Sequence, residues 1–381
     1  MTDQSRYDLF AACAPGFEDV AAKELFSLGI AHPRAVPGGV EFRGFLSHVY
    51  KVNLWSRTAE RVLLRLGEFR AITFKELRDK ARHIAWESMV RSERVALRVT
   101  CHKSRLIHSD AVAERIVAAI GDRLGRSIEH ADQDDAAPLI VARLVDDVCT
   151  ISLDTSGAQL HWRGYRQATA KAPLRETLAA AMLLASGWTP DRPLIDPFCG
   201  AGTIPIEAAL IARHIAPGRQ RCFAFMDWPN FDRAAWAELL IQADEMTSAK
   251  APSIIQGSDR NAGAIAASRS NAERAGVSND IEFTPRAMSA IEPIGRGWIV
   301  TNPPYGQRVS ADYDLRNLYA QLGKVLRAKC AGWHVAMLAG NAQLEHSTGL
   351  KFATVIRIDN GGLKVRFVQG TVPDGGEQHE P

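Results

Sequence analysis

The chain has 381 residues, 46% of them hydrophobic and 23% charged, which fits a globular protein with a full core and, by length, two or three domains. Its six cysteines, at 13, 101, 149, 199, 222 and 330, form no C-x-x-C pair, so neither a zinc site nor a disulfide framework is expected. The net charge is +3, the N-terminus MTDQSRYDLF carries no apolar signal core, and no apolar run reaches membrane-spanning length; a reducing cytoplasm and no membrane partner are expected.

The first segment reads strand, helix, strand: RYDLFAACA, GFEDVAAKELFSLG, and AVPGGVEFRG with its Pro-Gly-Gly turn. Two helical patterns follow, FLSHVYKVNLWSRTA and FKELRDKARHIAWESM. Next come the strand RVALRVTCH, the helix SDAVAERIVAAIGDRLG, and the strands PLIVARLVDD and VCTISLDTSG. Short strands and helices with antiparallel returns predict compact α+β units up to about residue 160. This part is also the basic part. From Arg43 to Arg126 there are 18 Lys and Arg against 9 Asp and Glu, so the rest of the chain carries 28 against 34. A basic lobe on a mildly acidic body is the footprint of a nucleic-acid binder, although a solvated arginine-rich surface gives the same counts.

From residue 172 the pattern changes. APLRETLAAAMLLASGW is a strong helix former, and strands then alternate with helices: RPLIDPFCG and GTIPIEAALIARHI, SIIQGSD and NAGAIAASRSNAERAG, IEFTPRA, GWIVTNPPYG and YDLRNLYAQLGKVLRAKC, and WHVAMLAG. Such repetition predicts a doubly wound, mainly parallel sheet. FATVIRIDNGGLKVRFVQG closes it as an antiparallel hairpin turning at Asn-Gly-Gly, and 371–381 reads as a frayed tail. Residues 213–250 read as an insertion.

Three motifs fall at the carboxyl ends of predicted parallel strands, where ligands of open α/β sheets bind. The first is DPFCGAGT, Asp196 to Thr203. Gly200 and Gly202 let the backbone pass close to a ligand, and the helix starting about Thr203 offers free N–H groups to an anion. Neither G-x-G-x-x-G nor the G-K-[ST] ending of a phosphate loop is present, so a pyrophosphate is disfavoured. A smaller ligand with a carboxylate and a cation near Asp196 fits better; a plain tight turn is the alternative. The second is Asp259, which ends the next strand and could accept from both hydroxyls of a ribose or simply cap the following helix. The third is NPPY, Asn302 to Tyr305. Pro303 and Pro304 supply no N–H and stop strand pairing, so the chain is held rigid as it leaves the sheet. The Asn302 side-chain carbonyl and the Pro303 main-chain carbonyl can accept both hydrogens of an exocyclic amine, and Tyr305 can stack on its ring. Holding both hydrogens turns the amine lone pair toward an electrophile, which is catalysis by orientation with no metal.

Together these motifs resemble the class I S-adenosylmethionine-dependent methyltransferases that modify exocyclic amines. LHWRGYR, APLRETLAAAMLLASGW, DPFCGAGTIPIEAALIA, FAFMDWPNFD, NPPYG and NGGLKVRF, with ACAPGFEDVAAKEL and HKSRLIHSDAVAERIVAAI, are similar to landmarks of the THUMP-domain RNA methyltransferases over nearly the whole chain, above all the 23S ribosomal RNA guanine-N2 module. The resemblance implies a Rossmann-like catalytic sheet at 161–381 with its C-terminal antiparallel hairpin, preceded by an α+β ferredoxin-like domain at 1–60 and a THUMP domain at 61–160. It implies S-adenosyl-L-methionine as cofactor, held by Asp196, Phe198, Gly200, Gly202, Thr203 and Asp259, and a target base held by Asn302, Pro303, Pro304 and Tyr305. RNA is the implied partner, 23S ribosomal RNA before transfer RNA, with no obligate protein partner; an adenine-N6 methyltransferase of nucleic acid and a non-catalytic RNA-binding protein are the alternatives. Lys103, Arg105, Arg163, Arg166, Lys171 and Arg175 are expected to contact it, although ordinary linker charge accounts equally for those near 163–175. Phe198 could equally be core. One departure stands out: Ala287 occupies the place where such enzymes carry an Asp near the adenine amine. In some relatives the module is fused to another methyltransferase, and this chain ends without one.

Overall fold

The computed structural model describes residues 5–131, 137–167, 174–305, 315–360 and 363–374. The chain divides into two compact units. One comprises Met1–Ala12, Ala22–Leu160 and Arg221–Leu240; the other comprises Cys13–Ala21, His161–Gln220 and Ile241–Pro381.

The first unit is built on strands β1 (Tyr7–Cys13), β2 (Arg34–Val36), β3 (Gly39–Gly44), β4 (Ala59–Arg70), β5 (Arg94–His102), β6 (Glu129–His130), β7 (Leu139–Val145) and β8 (Val148–Asp154). Helices α1 (Glu18–Ser27), α2 (Leu46–Trp55), α3 (Phe74–Ala81) and α4 (Ser109–Leu124) are interspersed. The strands form one sheet in the order β2-β3-β1-β4-β8-β7-β5-β6. On β5 the exposed Arg98, Thr100 and His102 alternate with half-buried Leu97, Val99 and Cys101, the period of a strand with one covered face. The cover is α4, whose Val112, Ala113, Ile116, Ala119 and Ile120 form one buried stripe.

Two readings of this half are corrected. The helix expected over 74–89 stops at Ala81, because the Trp86 indole N–H donates to the Ala81 carbonyl at 2.8 Å and the chain then tightens into a 3-10 turn at Trp86–Ser88. The strand β4, with 12 residues the longest in the described structure, was absent from the sequence expectation. Its arginines hide the alternation: Arg61 pairs with buried Asp154 and Arg65 with Glu41, and the register shifts between Arg65 and Gly67.

The second unit holds β9 (Leu194–Asp196), β10 (Ile255–Asp259), β11 (Ile281–Pro285), β12 (Trp298–Thr301), β13 (His334–Ala339), β14 (Thr354–Asn360) and β15 (Leu363–Thr371). Its helices are α5 (Glu176–Ser186), α6 (Thr203–Ala212), α7 (Arg233–Glu245, which begins in the first unit), α8 (Ala262–Arg274), α9 (Leu315–Lys329) and α10 (Ala342–Ser347). The sheet order is β11-β10-β9-β12-β13-β15-β14. The first five are parallel, and β15 runs antiparallel to both β13 and β14. The hairpin is therefore as expected, with its Gly361 and Gly362 outside the described residues. Successive strand residues feed two different cores. Leu194, Val300, Ala336 and Leu338 pack with α5, α6 and α8, whereas Ile195, Ile299, Val335, Met337 and Ala339 pack with α9. A sheet covered on both faces needs such continuous apolar strands. The order reverses at β9, so the crevice above β9 and β12 is the topological switch point. No helix among the described residues is long and apolar enough to cross a membrane.

Candidate active site

The strand β9 ends at Asp196, and the turn that follows is held from three sides. The Cys199 N–H donates to the Ser258 carbonyl at 2.9 Å and the Gly202 N–H to the Cys199 carbonyl at 2.8 Å. From α8, Ser268 Oγ donates to the Gly200 carbonyl at 2.7 Å and Asn271 Nδ2 to the Ala201 carbonyl at 3.0 Å. Gly202 has φ 85° and a Cβ there would lie 3.0 Å from Phe283 and from Ser268, so only glycine fits without movement. Gly200, with φ 53°, also needs the left-handed region. The helix α6 then starts at Thr203, which is buried.

Asp259 reaches into the same turn. Its Oδ2 accepts from the Gly200 N–H at 3.2 Å and its Oδ1 from the Asn261 N–H at 2.9 Å. The cap of α8 is Asn261, whose side chain accepts from the Gly263 and Ala264 N–H groups. Asp259 is therefore not the helix cap that the sequence left open.

Asp196 is buried, and burial pushes its carboxyl up to about 7. The Thr301 hydroxyl and the Phe198 N–H, both donating to Oδ1, oppose that rise, and the negative charge of Asp259 adds to it. No cation faces this carboxyl among the described residues.

The strand β12 ends at Thr301, one residue before NPPY. Asn302 is half-buried and its Oδ1, shielded from solvent, has no hydrogen-bond partner among the described residues. An acceptor left so costs about 1–3 kcal/mol unless a ligand supplies the donor. Pro303 is buried and Pro304 exposed, while Tyr305 packs against both cores. Tyr305 fits because residue 340 is glycine: a Cβ there would lie 2.9 Å from the Tyr305 Cβ. Phe198 is half-buried against the α9 side. Asp196, Phe198, Gly200, Gly202, Thr203, Asp259 and Asn302–Tyr305 thus gather at one edge of one sheet. Ala287 is exposed and precedes a single 3-10 turn at Met288–Ala290.

The basic residues separate. Arg163 is corrected, for it is buried, and Arg166 is half-buried beside a carboxylate. The Arg163 side chain is 3% exposed and faces Glu207 at 3.5 Å; Arg166 pairs with Glu176 at 2.9 Å and donates to the Leu174 carbonyl at 2.6 Å. The Tyr165 hydroxyl donates to Glu207 at 3.1 Å. Burial lifts Glu176 to about 7, with Arg166 opposing. A signal was available: Glu207 in TIPIEAALIA and Glu176 in ETLAAAMLLAS are lone charges in apolar helices, which implies buried cationic partners. Arg175 is exposed at the start of α5, and Lys171 lies outside the described residues. Lys103, at φ 48°, and Arg105 are exposed in the loop after β5, which the Arg105 N–H ties to Asp147 at 2.8 Å. Sequence reasoning missed Ser268 and Asn271, which hold the turn's backbone, Thr301, which holds the Asp196 carboxyl, and Gly340, which makes room for Tyr305; none carries a motif of its own.

Three family models match the chain: an RMKL-like methyltransferase domain over residues 163–368, an RlmL ferredoxin-like domain over 8–63 and a THUMP domain over 71–154. The slr0064 protein of Synechocystis sp. is 37% identical, over 93% of this chain and 94% of its own length. The ribosomal RNA large subunit methyltransferase K/L of Allochromatium vinosum is 37% identical over 96% of this chain but 51% of its own, so the chain spans about half of such K/L relatives. The solved structure of SMU.472 complexed with SAH superposes with a TM-score of 0.86 at 31% identity, covering 98% of this chain and 99% of that one. With its glycine turn and NPPY edge, the chain belongs to the RMKL-like family of S-adenosylmethionine-dependent methyltransferases and carries ferredoxin-like and THUMP domains.

Proposed function

We propose that this chain methylates the exocyclic N2 amine of a guanine in RNA, and that the RNA is 23S ribosomal RNA. The observation that carries the chemistry is the shielded, partnerless Asn302 Oδ1 at the switch point. The name of the Allochromatium K/L relative supports the substrate.

The residues present fit the cofactor. Asp196 has no cation beside it among the described residues, Gly200 faces open space with nothing within 4 Å of where a Cβ would sit, and the N-terminus of α6 offers N–H groups to a carboxylate. Asp196, Phe198, Gly200, Gly202 and Thr203 would hold the methionine end, and Asp259 the ribose. The cofactor, when bound, supplies a methyl group on a sulfonium centre. This chain's own residues then act on the base. Asn302 Oδ1 and the Pro303 carbonyl accept the two amine hydrogens and turn the nitrogen lone pair outward, the two prolines remove slack, and Tyr305 stacks on the ring. Transfer would break the S–CH3 bond as the N–C bond forms, leaving a neutral thioether, and the methylated amine would lose one proton to solvent. Lys103, Arg105 and Arg175 contact RNA phosphates. In this reading residues 1–60 and 61–160 serve recognition, 161–381 serve chemistry, and the protein works in the cytoplasm.

Deletion of the gene, followed by mass spectrometry of nucleosides from separated large ribosomal RNA and transfer RNA, tests this. Loss of N2-methylguanosine from the large ribosomal RNA alone is expected. Loss from transfer RNA would keep the chemistry and replace the substrate. Unchanged N2-methylguanosine in both would overturn the base assignment, and N6-methyladenine would be examined next.

A further inference from the structure

Thr301 is the last residue of β12 and Asp196 the last of β9. The paired register of the two strands stops earlier, at Ile299 opposite Ile195, so the main chains part where the switch-point crevice opens. Across that opening Thr301 Oγ1 donates to Asp196 Oδ1 at 2.6 Å, and both residues are buried. The Phe198 N–H donates to the same oxygen at 3.1 Å. Both bonds fall on Oδ1, which leaves Oδ2 outside them. A hydroxyl at a fully buried strand position costs more than the isosteric valine unless its bond is needed.

We propose that Thr301 is a positioning residue that divides the work of Asp196: its hydroxyl holds Oδ1, so that Oδ2 is presented to the α-ammonium of the cofactor. The same bond ties the end of β9, which starts the cofactor turn, to the residue that immediately precedes Asn302. Occupancy of the cofactor site and placement of the amine acceptor then share one side-chain link. The inference rests on the methyltransferase reading above. The groups facing Asp196 are the Thr301 hydroxyl from β12, the Phe198 N–H and Cys199 from the turn, and Asp259 from β10. Only the first two favour its charged form, and Asp259 disfavours it. Removing the hydroxyl makes the carboxylate harder to form just where a cation must bind.

Calorimetric titration of the full chain with S-adenosylhomocysteine, from pH 6 to 9, tests this with Thr301→Val, Thr301→Ser and Asp196→Asn. Thr301→Val is expected to weaken binding by about tenfold and to move the loss of affinity on acidification to higher pH. Thr301→Ser, which keeps a donor, should stay within about threefold of the wild type. Wild-type affinity and pH profile in Thr301→Val, with binding lost in Asp196→Asn, would overturn the inference and leave the cofactor site standing. A wild-type chain that binds no S-adenosylhomocysteine would overturn both. If Thr301→Val fails to fold, Thr301→Ser decides: a preserved pH profile supports the link, and affinity or profile altered despite the retained hydroxyl contradicts it.

Discussion

Two polar clusters lie in the second unit, and sequence reasoning took both for parts of a working surface. At the sheet edge, Asp196 is held by Thr301 and Phe198 but has no cation beside it among the described residues, and Asn302 Oδ1 has no hydrogen-bond donor there. In the cluster of Arg163, Tyr165, Arg166, Glu176 and Glu207, each charge faces an opposite charge inside the cluster itself. Each cluster contains a buried carboxyl raised to about 7. Burial and a shifted carboxyl therefore do not distinguish a site from a brace. What distinguishes them is whether a buried carboxyl has an opposite charge beside it: Glu176 and Glu207 do, and Asp196 has none among the described residues, although Glu207 Oε2, like Asn302 Oδ1, has no hydrogen-bond partner there.

The largest effect should come from breaking the brace. Arg163→Ala strands Glu207 without its cation and is expected to cost about 3–5 kcal/mol in denaturant unfolding. The salt dependence of RNA binding should be unchanged. A stable variant with weaker RNA binding and a shallower salt slope would return Arg163 to the RNA-contacting residues.

Next in size is the incomplete cluster. Asn302→Ala should lower turnover by about 10²–10³, the usual effect of losing one oriented transition-state hydrogen bond, while RNA affinity and stability hold. Gly202→Ala should weaken binding of S-adenosylhomocysteine by about tenfold, since the cradle must shift to admit the Cβ. Unaltered binding there would remove the glycine from the cofactor site.

Smaller effects sharpen the contrast. Glu176 titrates near 7 in the folded chain against an ordinary 4.5, so the proton it retains stabilises the fold fully below about pH 4.5. That contribution is lost as pH rises through 7. Glu176→Gln should therefore flatten the fall in stability between those pH values, measured by chemical denaturation at each pH. Lys103→Ala and Arg105→Ala should each lower the slope of log affinity against log salt by about 1 and leave stability alone. Equal slopes would place them off the RNA path.

The sheet was legible because strands buried on both faces read as short apolar runs between longer helical segments. Leu194–Asp196 and Trp298–Thr301 announce themselves in this way. β4 was not, because Arg61 and Arg65 are polar residues whose partners, Asp154 and Glu41, lie far away in sequence. The site was legible where chemistry needs an unusual local string, as in DPFCGAGT and NPPY. It was not legible where ordinary residues act at long range: Ser268 and Asn271 hold the glycine turn from a different helix, and Gly340 makes room for Tyr305. The pairing of Arg163 and Arg166 was partly legible, since Glu207 and Glu176 are lone charges in apolar helices, but the sequence does not say which arginine meets which carboxylate.

The central claim is that the partnerless acceptor of Asn302 receives a guanine amine. The most direct measurement is transfer of a labelled methyl group from S-adenosylmethionine to large ribosomal RNA taken from the deletion strain, with the product nucleoside identified by mass spectrometry. The account requires label in N2-methylguanosine for the wild type, and its loss by about a hundredfold or more in Asn302→Ala. Label in N6-methyladenine, or undiminished transfer by the variant, would contradict it.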